Sequence, residues 1–179
     1  MSEWSRTLDA LLRERGAALF GYAYVLTGSA DSAEDLLQDA LVRTFRSGRG
    51  SRDLNSAHAY VKRAITSAFI DSGRRSAARP RTVTHEGLEI QTTPDHAPAS
   101  VAAADLHAAL LTLPPRERAC VVLRYLDGLP VAEVAAELGL AEGTVKRYVA
   151  DGVAKLRESH LDIDFASQET IPVTEGRAS

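Results

Sequence analysis

One segment limits what this chain can fold into more than any other. It is residues 113–157, LPPRERACVVLRYLDGLPVAEVAAELGLAEGTVKRYVADGVAKLR. Its pattern predicts a helix, a turn, a short helix, a glycine turn and a second helix that opens with basic residues. Val131, Val134, Ala135 and Leu138 fall at i, i+3, i+4 and i+7, which gives the short helix one apolar face. Gly139 suits the sharp turn because it accepts positive φ without a Cβ clash. Leu140 can fill the space between the two helices. The second helix begins near Glu142 or Gly143, with Val145, Val149, Gly152 and Leu156 as its inner stripe. Thr144, Arg147, Asp151 and Lys155 are then expected to point outward, with Lys146 at the flank. This is the outline of a helix-turn-helix, whose exposed second helix can enter a major groove. The outward arc is only mildly basic, and Asp151 repels phosphate. This half alone should hold DNA weakly and gain from a second, tethered contact.

Charge is distributed unevenly. The net charge of −3 conceals a basic segment and an acidic tail. Residues 60–81 carry Lys62, Arg63, Arg74, Arg75, Arg79 and Arg81 against Asp71 alone. Residues 158–179 carry Glu158, Asp162, Asp164, Glu169 and Glu175 against Arg177 alone. Contact with phosphates depends on local charge, so the overall sign does not exclude nucleic acid.

The N-terminal part also reads as helical. Residues 3–27 place Leu8, Leu11, Leu12, Leu19, Tyr22 and Val25 near helical spacing, with Gly16 and Gly21 as weak points. Gly28-Ser29-Ala30 breaks this helix. A second is expected from Asp31, with Glu34 as capping partner and Ala33, Leu36, Leu37, Ala40, Leu41 and Phe45 as its stripe. A third is expected over residues 56–75, with Tyr60, Val61, Ala64, Ile65, Ala68 and Phe69 facing inward. Residues 76–100 bring Pro80, Pro94 and Pro98 among Thr, Ser, His and Ala, the composition of a linker. A second helical block then runs from about Val101 to His160. Residues 167–179 are polar and read as a disordered end.

The 179 residues and 45% hydrophobic content suit two small domains, and the 6% aromatic content suits Leu, Val and Ala cores. The fold class expected is all-α. The domains are expected at 1–77 and 105–160, with a linker at 78–104 and a tail at 161–179.

The composition also bears on chemistry. The single cysteine, Cys120, excludes a disulfide framework and sits in an apolar run as a small hydrophobe. No apolar run reaches the roughly 20 residues of a membrane span, and the N-terminus lacks a signal-peptide plan. A cytoplasmic protein is expected, without membrane insertion. His58, His85, His96, His107 and His160 are scattered, with no metal spacing, phosphate loop or nucleophile motif beside them. The expectation is no catalytic residue, no metal and no cofactor.

The C-terminal motifs resemble two families. LPPRER, the Tyr-Leu-acidic-Gly-Leu stretch and Gly-Thr-Val-Lys resemble region four of sigma factors, the bacterial initiation subunits. Gly-Thr-Val-Lys and the helix after it also resemble the LuxR-type effector domain of response regulators. The N-terminal half distinguishes them. Asp31-Ser32-Ala33-Glu34-Asp35-Leu36-Leu37-Gln38-Asp39-Ala40-Leu41-Val42-Arg43-Thr44-Phe45 resembles region two of the extracytoplasmic-function (ECF) subfamily of sigma-70 family sigma factors. A LuxR-type regulator would need a receiver or ligand domain, and residues 1–75 resemble neither.

The resemblance implies a factor that binds core RNA polymerase, directs it to promoters and helps melt the duplex. Asp35, Gln38 and Asp39 would contact the clamp helices of the β′ subunit. Ala59-Tyr60-Val61-Lys62-Arg63-Ala64-Ile65 and Ile70-Asp71-Ser72-Gly73-Arg74-Arg75 resemble the helix that captures the melted minus-ten strand. Lys62, Arg63, Ser67, Arg74 and Arg75 would serve there, with loop 47–55 near a flipped base. Thr144, Lys146, Arg147, Tyr148 and Lys155 would face the minus-thirty-five element, and the β flap would hold region four. An anti-sigma factor is a further partner that the resemblance allows. Two departures stand out: Ser67 replaces a frequent Asn, and Asp151 stands at a usually basic position. The family's minus-thirty-five preference therefore does not carry over.

Overall fold

The computed structural model describes residues 3–46, 53–78 and 101–159. These form α1 (Glu3–Thr27), α2 (Ala30–Phe45), α3 (Leu54–Ala78), α4 (Val101–Thr112), α5 (Pro115–Val121), α6 (Val131–Leu138) and α7 (Glu142–Glu158). A single π turn, Val122–Leu126, continues α5. No strand occurs among the described residues, so the expected all-α class holds. The linker beyond Ala78 and the tail beyond Ser159 fall outside them.

Helices α1, α2 and α3 pack around one core. Leu11, Leu19, Leu26, Val61 and Ile65 are fully buried there with Ala33, Ala40 and Phe45. Each large aliphatic side chain withdrawn this way stabilises the bundle by about 1.5–3 kcal/mol. Gly16 and Gly21 do not interrupt α1, because the neighbouring Leu and Tyr contacts outweigh their weak helix propensity.

The break between α1 and α2 depends on Gly28, at φ 78°, with the Ser29 side chain capping α2 through the Ser32 amide at 3.2 Å. The cap thus lies two residues before the expected Asp31. Glu34 takes no part in it and instead accepts a hydrogen bond from Gln38. Asp53 starts α3 by accepting from the Ser56 amide and hydroxyl, both at 2.8 Å. This carboxylate places Leu54 and Asn55 inside the helix rather than in the expected loop. Residues 47–52 of that loop lie outside the described residues.

The C-terminal half has two smaller cores. Ala109, Leu110, Leu113, Val121, Val153 and Leu156 join α4, α5 and α7. Cys120, Leu123, Val134, Ala135 and Val145 join α5 to the α6–α7 pair. Gly152 permits the close approach of α7 to α5: a Cβ there would meet Val121 Cγ2 at 2.7 Å. Gly139 ends α6 in the left-handed conformation, φ 62°, and the Leu140 amide bonds back to the Ala135 carbonyl at 2.9 Å. The helix-turn-helix is therefore formed as its sequence pattern predicts.

The halves do not stand apart. Ala119 and Val122 of the α5 segment enter the core of α1–α3. Leu111 packs on Gly28, and Pro115 packs on Gly73. Arg118 is buried at this joint and donates to the carbonyls of Leu26, Leu111 and Leu113. One of its acceptors belongs to the C-terminal turn of α1, where a cation also complements the helix dipole. The His107 ring lies against Tyr24, its Nε2 3.2 Å from the Tyr24 carbonyl oxygen.

Candidate nucleic-acid and polymerase interface

The buried stripe of α2 fixes what the opposite face presents. Ala33, Leu36, Leu37 and Ala40 turn inward, so Asp35, Gln38 and Asp39 turn to solvent. Val42 continues that face and is 60% exposed. The polar contacts seen on this face stay close to it. Gln38 donates to Glu34 at 3.2 Å, and Asp39 pairs with Arg43 at 2.7 Å. Arg43 also reaches Asp71 of α3 at 3.6 Å. The result is an acidic ridge with an apolar end, open along its length.

The basic face of α3 differs. Lys62 is half-buried, lies 4.4 Å from the centroid of the Tyr22 ring, and is bonded to the Asp127 carboxylate. Arg63 Nε pairs with Glu137 of α6 at 3.7 Å. The side chains of Asp127 and Glu137 are only 12% and 11% exposed. Burial, and then Arg63 opposing it, leaves the Glu137 carboxyl above its ordinary pKa. Tyr22 bonds the Thr66 hydroxyl at 2.9 Å, and burial with Asp127 beside it keeps the phenol firmly protonated. Ser67 is exposed and borders an open groove of about 550 Å3 lined by Arg63, Ala64, Glu133, Ala136 and Glu137. Arg74 and Arg75 lie in the last turns of α3, but their side chains fall outside the described residues.

Tyr60 corrects the expected inner face of α3. It is 56% exposed, because the core of this helix is formed by Ala57, Val61, Ile65, Ala68 and Phe69. Its spacing to Arg63 and Ser67 is i, i+3 and i+7, so the three share one side of the helix. Asp127 and Glu137 are the residues that sequence reasoning missed. The acidic residue in the Tyr-Leu-acidic-Gly-Leu stretch was visible as a motif, but nothing local revealed its distant partner.

On α7, Lys146, Arg147 and Asp151 are exposed, while Thr144 and Tyr148 are half-buried. Tyr148 packs on the helix-turn-helix core, and the Arg147 guanidinium lies 5.3 Å from its ring centroid. Lys155 is exposed but committed, donating to both oxygens of the buried Glu117 at 2.8 and 2.7 Å. Cys120 is fully buried, which pushes its thiol up to about 11 and makes it inert, as expected of a packed hydrophobe.

A three-helix bundle with an open acidic ridge, followed by a helix-turn-helix, is the outline of a helical DNA-binding protein. Comparison with known proteins agrees. The family models for sigma-70 region 2 and sigma-70 region 4 match residues 11–79 and 103–156. The chain is 35% identical over 155 residues to the ECF RNA polymerase sigma factor SigL of Mycobacterium tuberculosis, covering 84% of this chain and 86% of that protein. It is 35% identical over 163 residues to the RNA polymerase sigma-E factor of Streptomyces avermitilis, covering 90% of each. It is also 33% identical over 155 residues to SigE of Mycolicibacterium smegmatis, where the match spans 84% of this chain and 60% of the longer relative. Among solved structures, the sigma factor RpoE of Bartonella quintana, crystallised with the anti-sigma factor NepR, shares the fold. The TM-score is 0.56 at 22% identity, over 91% of this chain and 100% of that one.

The chain belongs to the ECF subfamily of sigma-70 family sigma factors. It is a transcription initiation factor that binds core RNA polymerase and promoter DNA and directs the enzyme to its promoters. The LuxR-type alternative falls with the region 2 match over residues 11–79.

Proposed function

We propose that the α2 ridge is the polymerase-docking surface, with Asp35, Gln38 and Asp39 meeting the clamp helices of the β′ subunit. The observation that carries this is the openness of the ridge. It offers carboxylates, an amide and the exposed Val42 on one helix face while the opposite face is locked in the core. Lys62, Arg63, Ser67, Arg74 and Arg75 then serve the melted minus-ten strand. Exposed Tyr60 adds a ring on which a base can stack, since single-strand capture combines backbone cations with aromatic platforms. Thr144, Lys146, Arg147 and Tyr148 of α7 serve the minus-thirty-five element. Lys155 contributes there only after leaving Glu117.

In this reading residues 1–77 act as region 2 and 105–160 as region 4, joined by 78–104 and followed by a tail at 161–179. The matched spans support that division without fixing its ends. The β flap is the partner of region 4. An anti-sigma factor, of the kind that the Bartonella neighbour binds, is a fitting antagonist. The protein works in the cytoplasm, on polymerase and DNA, and has no chemistry of its own. No helix among the described residues is long and apolar enough to cross a membrane.

The test is binding to purified bacterial core polymerase and run-off transcription, with wild type beside Asp35→Ala/Gln38→Ala. Polymerase binding and specific transcripts that both fade in the double variant support the docking face. Full polymerase binding by the variant would move the docking site elsewhere.

A further inference from the structure

We infer that Asp151 is a base-reading residue of α7, one that selects a cytosine in the major groove of the minus-thirty-five element. This rests on the proposed role of α7 and adds to it a residue whose charge opposes DNA. A carboxylate stands here at a usually basic position, and contact with phosphates gives no reason for it.

The carboxylate is left open. Asp151 is exposed, and no hydrogen bond or ion pair engages it among the described residues. Two cations stand four residues before and after it, the spacing at which helical ion pairs form. Both are engaged elsewhere. Lys155 donates to the two oxygens of Glu117 at 2.8 and 2.7 Å, and the Arg147 guanidinium lies 5.3 Å from the Tyr148 ring centroid. A guanidinium over a ring keeps N–H donors at its edge, so Arg147 is braced and still able to donate.

The buried stripe of α7, Val145, Gly152, Val153 and Leu156, turns the opposite side to solvent. That side carries Gly143, Arg147, Ala150, Asp151 and Ala154, all exposed. A Cβ at Gly143 would meet nothing within 4 Å. The three small residues let the helix axis come close to a groove floor, and only Arg147 and Asp151 reach out from it. Four residues separate these two by about 6 Å along the axis. That is about two base steps at roughly 3.4 Å each.

Base edges then decide what each side chain can meet. In the major groove guanine shows the acceptors N7 and O6, thymine shows O4, and adenine shows N7 beside its N6 donor. Each acceptor repels a carboxylate. Cytosine alone shows a donor, its N4 amine, with no acceptor on the same base, so Asp151 accepts from it. Arg147 makes the complementary choice, donating to O6 and N7 of a guanine. Asp151 weakens phosphate contact on every sequence, and this is offset only at a cytosine. Its selectivity comes from rejecting the other bases.

The experiment loads the full chain on purified bacterial core polymerase, selects bound duplexes from a randomised promoter library and sequences them. Wild type is compared with Asp151→Ala, Asp151→Asn, Arg147→Ala and Lys146→Ala, each checked for folding by thermal melting. Wild type is expected to favour cytosine about tenfold at one upstream position, a discrimination within the range of a good side chain–base contact. Asp151→Ala should abolish that single preference and leave the others intact. Asp151→Asn should move it to adenine, because an amide pairs with both N6 and N7. Arg147→Ala should erase a guanine preference about two positions away. A carboxylate that is only solvated predicts the opposite: Asp151→Ala tightens binding to all sequences alike and changes no preference. That result overturns the inference, as does loss of a preference for any base other than cytosine. If Arg147→Ala and Lys146→Ala also leave every upstream preference unchanged, the reading role of α7 fails and the inference fails with it. If those two variants alter upstream preferences while Asp151→Ala does not, only the inference is overturned.

Discussion

Helices α2 and α3 belong to the same bundle and contribute to the same core, yet their outer faces are in opposite states. The α2 ridge is open, and the polar contacts seen on it involve groups of its own helix and Asp71 nearby. The α3 face is engaged at its two cations, with Lys62 and Arg63 paired to Asp127 and Glu137, 65 and 74 positions further along the chain. The difference suggests an order of events. A surface that needs no rearrangement can meet its partner on first encounter, whereas one already bound to carboxylates must first be released.

The comparison can be broken most strongly at Arg118. Arg118→Ala leaves the carbonyls of Leu26, Leu111 and Leu113 without their donor and removes the cation beside Phe69. A loss of about 3 kcal/mol is expected, since hydrogen bonds to a charged donor are each worth about 1.5–3 kcal/mol and some carbonyls regain water. Urea unfolding measures it, and a change below about 1 kcal/mol would show that the joint does not depend on this residue.

Gly152→Ala tests the C-terminal half alone. The new methyl would lie 2.7 Å from Val121 Cγ2, so α7 must shift from α5, at about 1–3 kcal/mol. The same unfolding measurement reads this loss, and α2-dependent polymerase binding should survive.

Acid should loosen the joint. Burial, with Arg118 adding to it, lowers the pKa of His107 from 6.5, and burial with Lys62 and Arg15 does the same for His58 against Asp127. Both rings are therefore more easily protonated in the unfolded chain. Their contribution is full above pH 6.5 and is lost as pH falls from there through the folded pKa. Glu137 acts with the opposite sign, because its raised pKa makes its burial less unfavourable as pH falls. His107→Gln keeps a donor for the Tyr24 carbonyl without titrating, so it isolates the histidine part. Melting temperature should fall less between pH 7.5 and 5.5 for this variant than for wild type. Parallel curves would remove His107 from the account.

The smallest effect lies outside both faces. A Cβ at Gly21 meets nothing within 4 Å, so Gly21→Ala should stabilise α1 by about 0.5–1 kcal/mol. Polymerase and DNA binding should stay unchanged, and a loss of either would reveal a contact made by this part of α1.

Local pattern carried much of the architecture. Helical spacing located α1, α2, α3, α6 and α7, and Gly139 located the turn of the reader, because these are decided within a few residues; α4, α5 and the π turn were legible only as part of one helical block. The misplaced cap shows where local chemistry was ambiguous: Ser29 and Asp31 are both good caps, and Gly28 decides between them by ending α1. Tyr60 was assigned inward because it is large and near an apolar stripe, but one helical step of 100° places it beyond the core. The candidate site was legible as a set of residue types. What could not be read was the pairing of Lys62 with Asp127 and Arg63 with Glu137. Such pairing depends on how the halves pack, and no spacing within either half encodes it.

The most direct test of the central claim is a distance across the joint, measured by pulsed electron resonance between spin labels at Ala59→Cys on α3 and Ala132→Cys on α6. Both positions are exposed, and native Cys120 is fully buried, so labelling can be selective. The account predicts one short, narrow distance in the free chain and a long one once core polymerase is added. A broad or long distance in the free chain, or a short one that persists on polymerase, would contradict it.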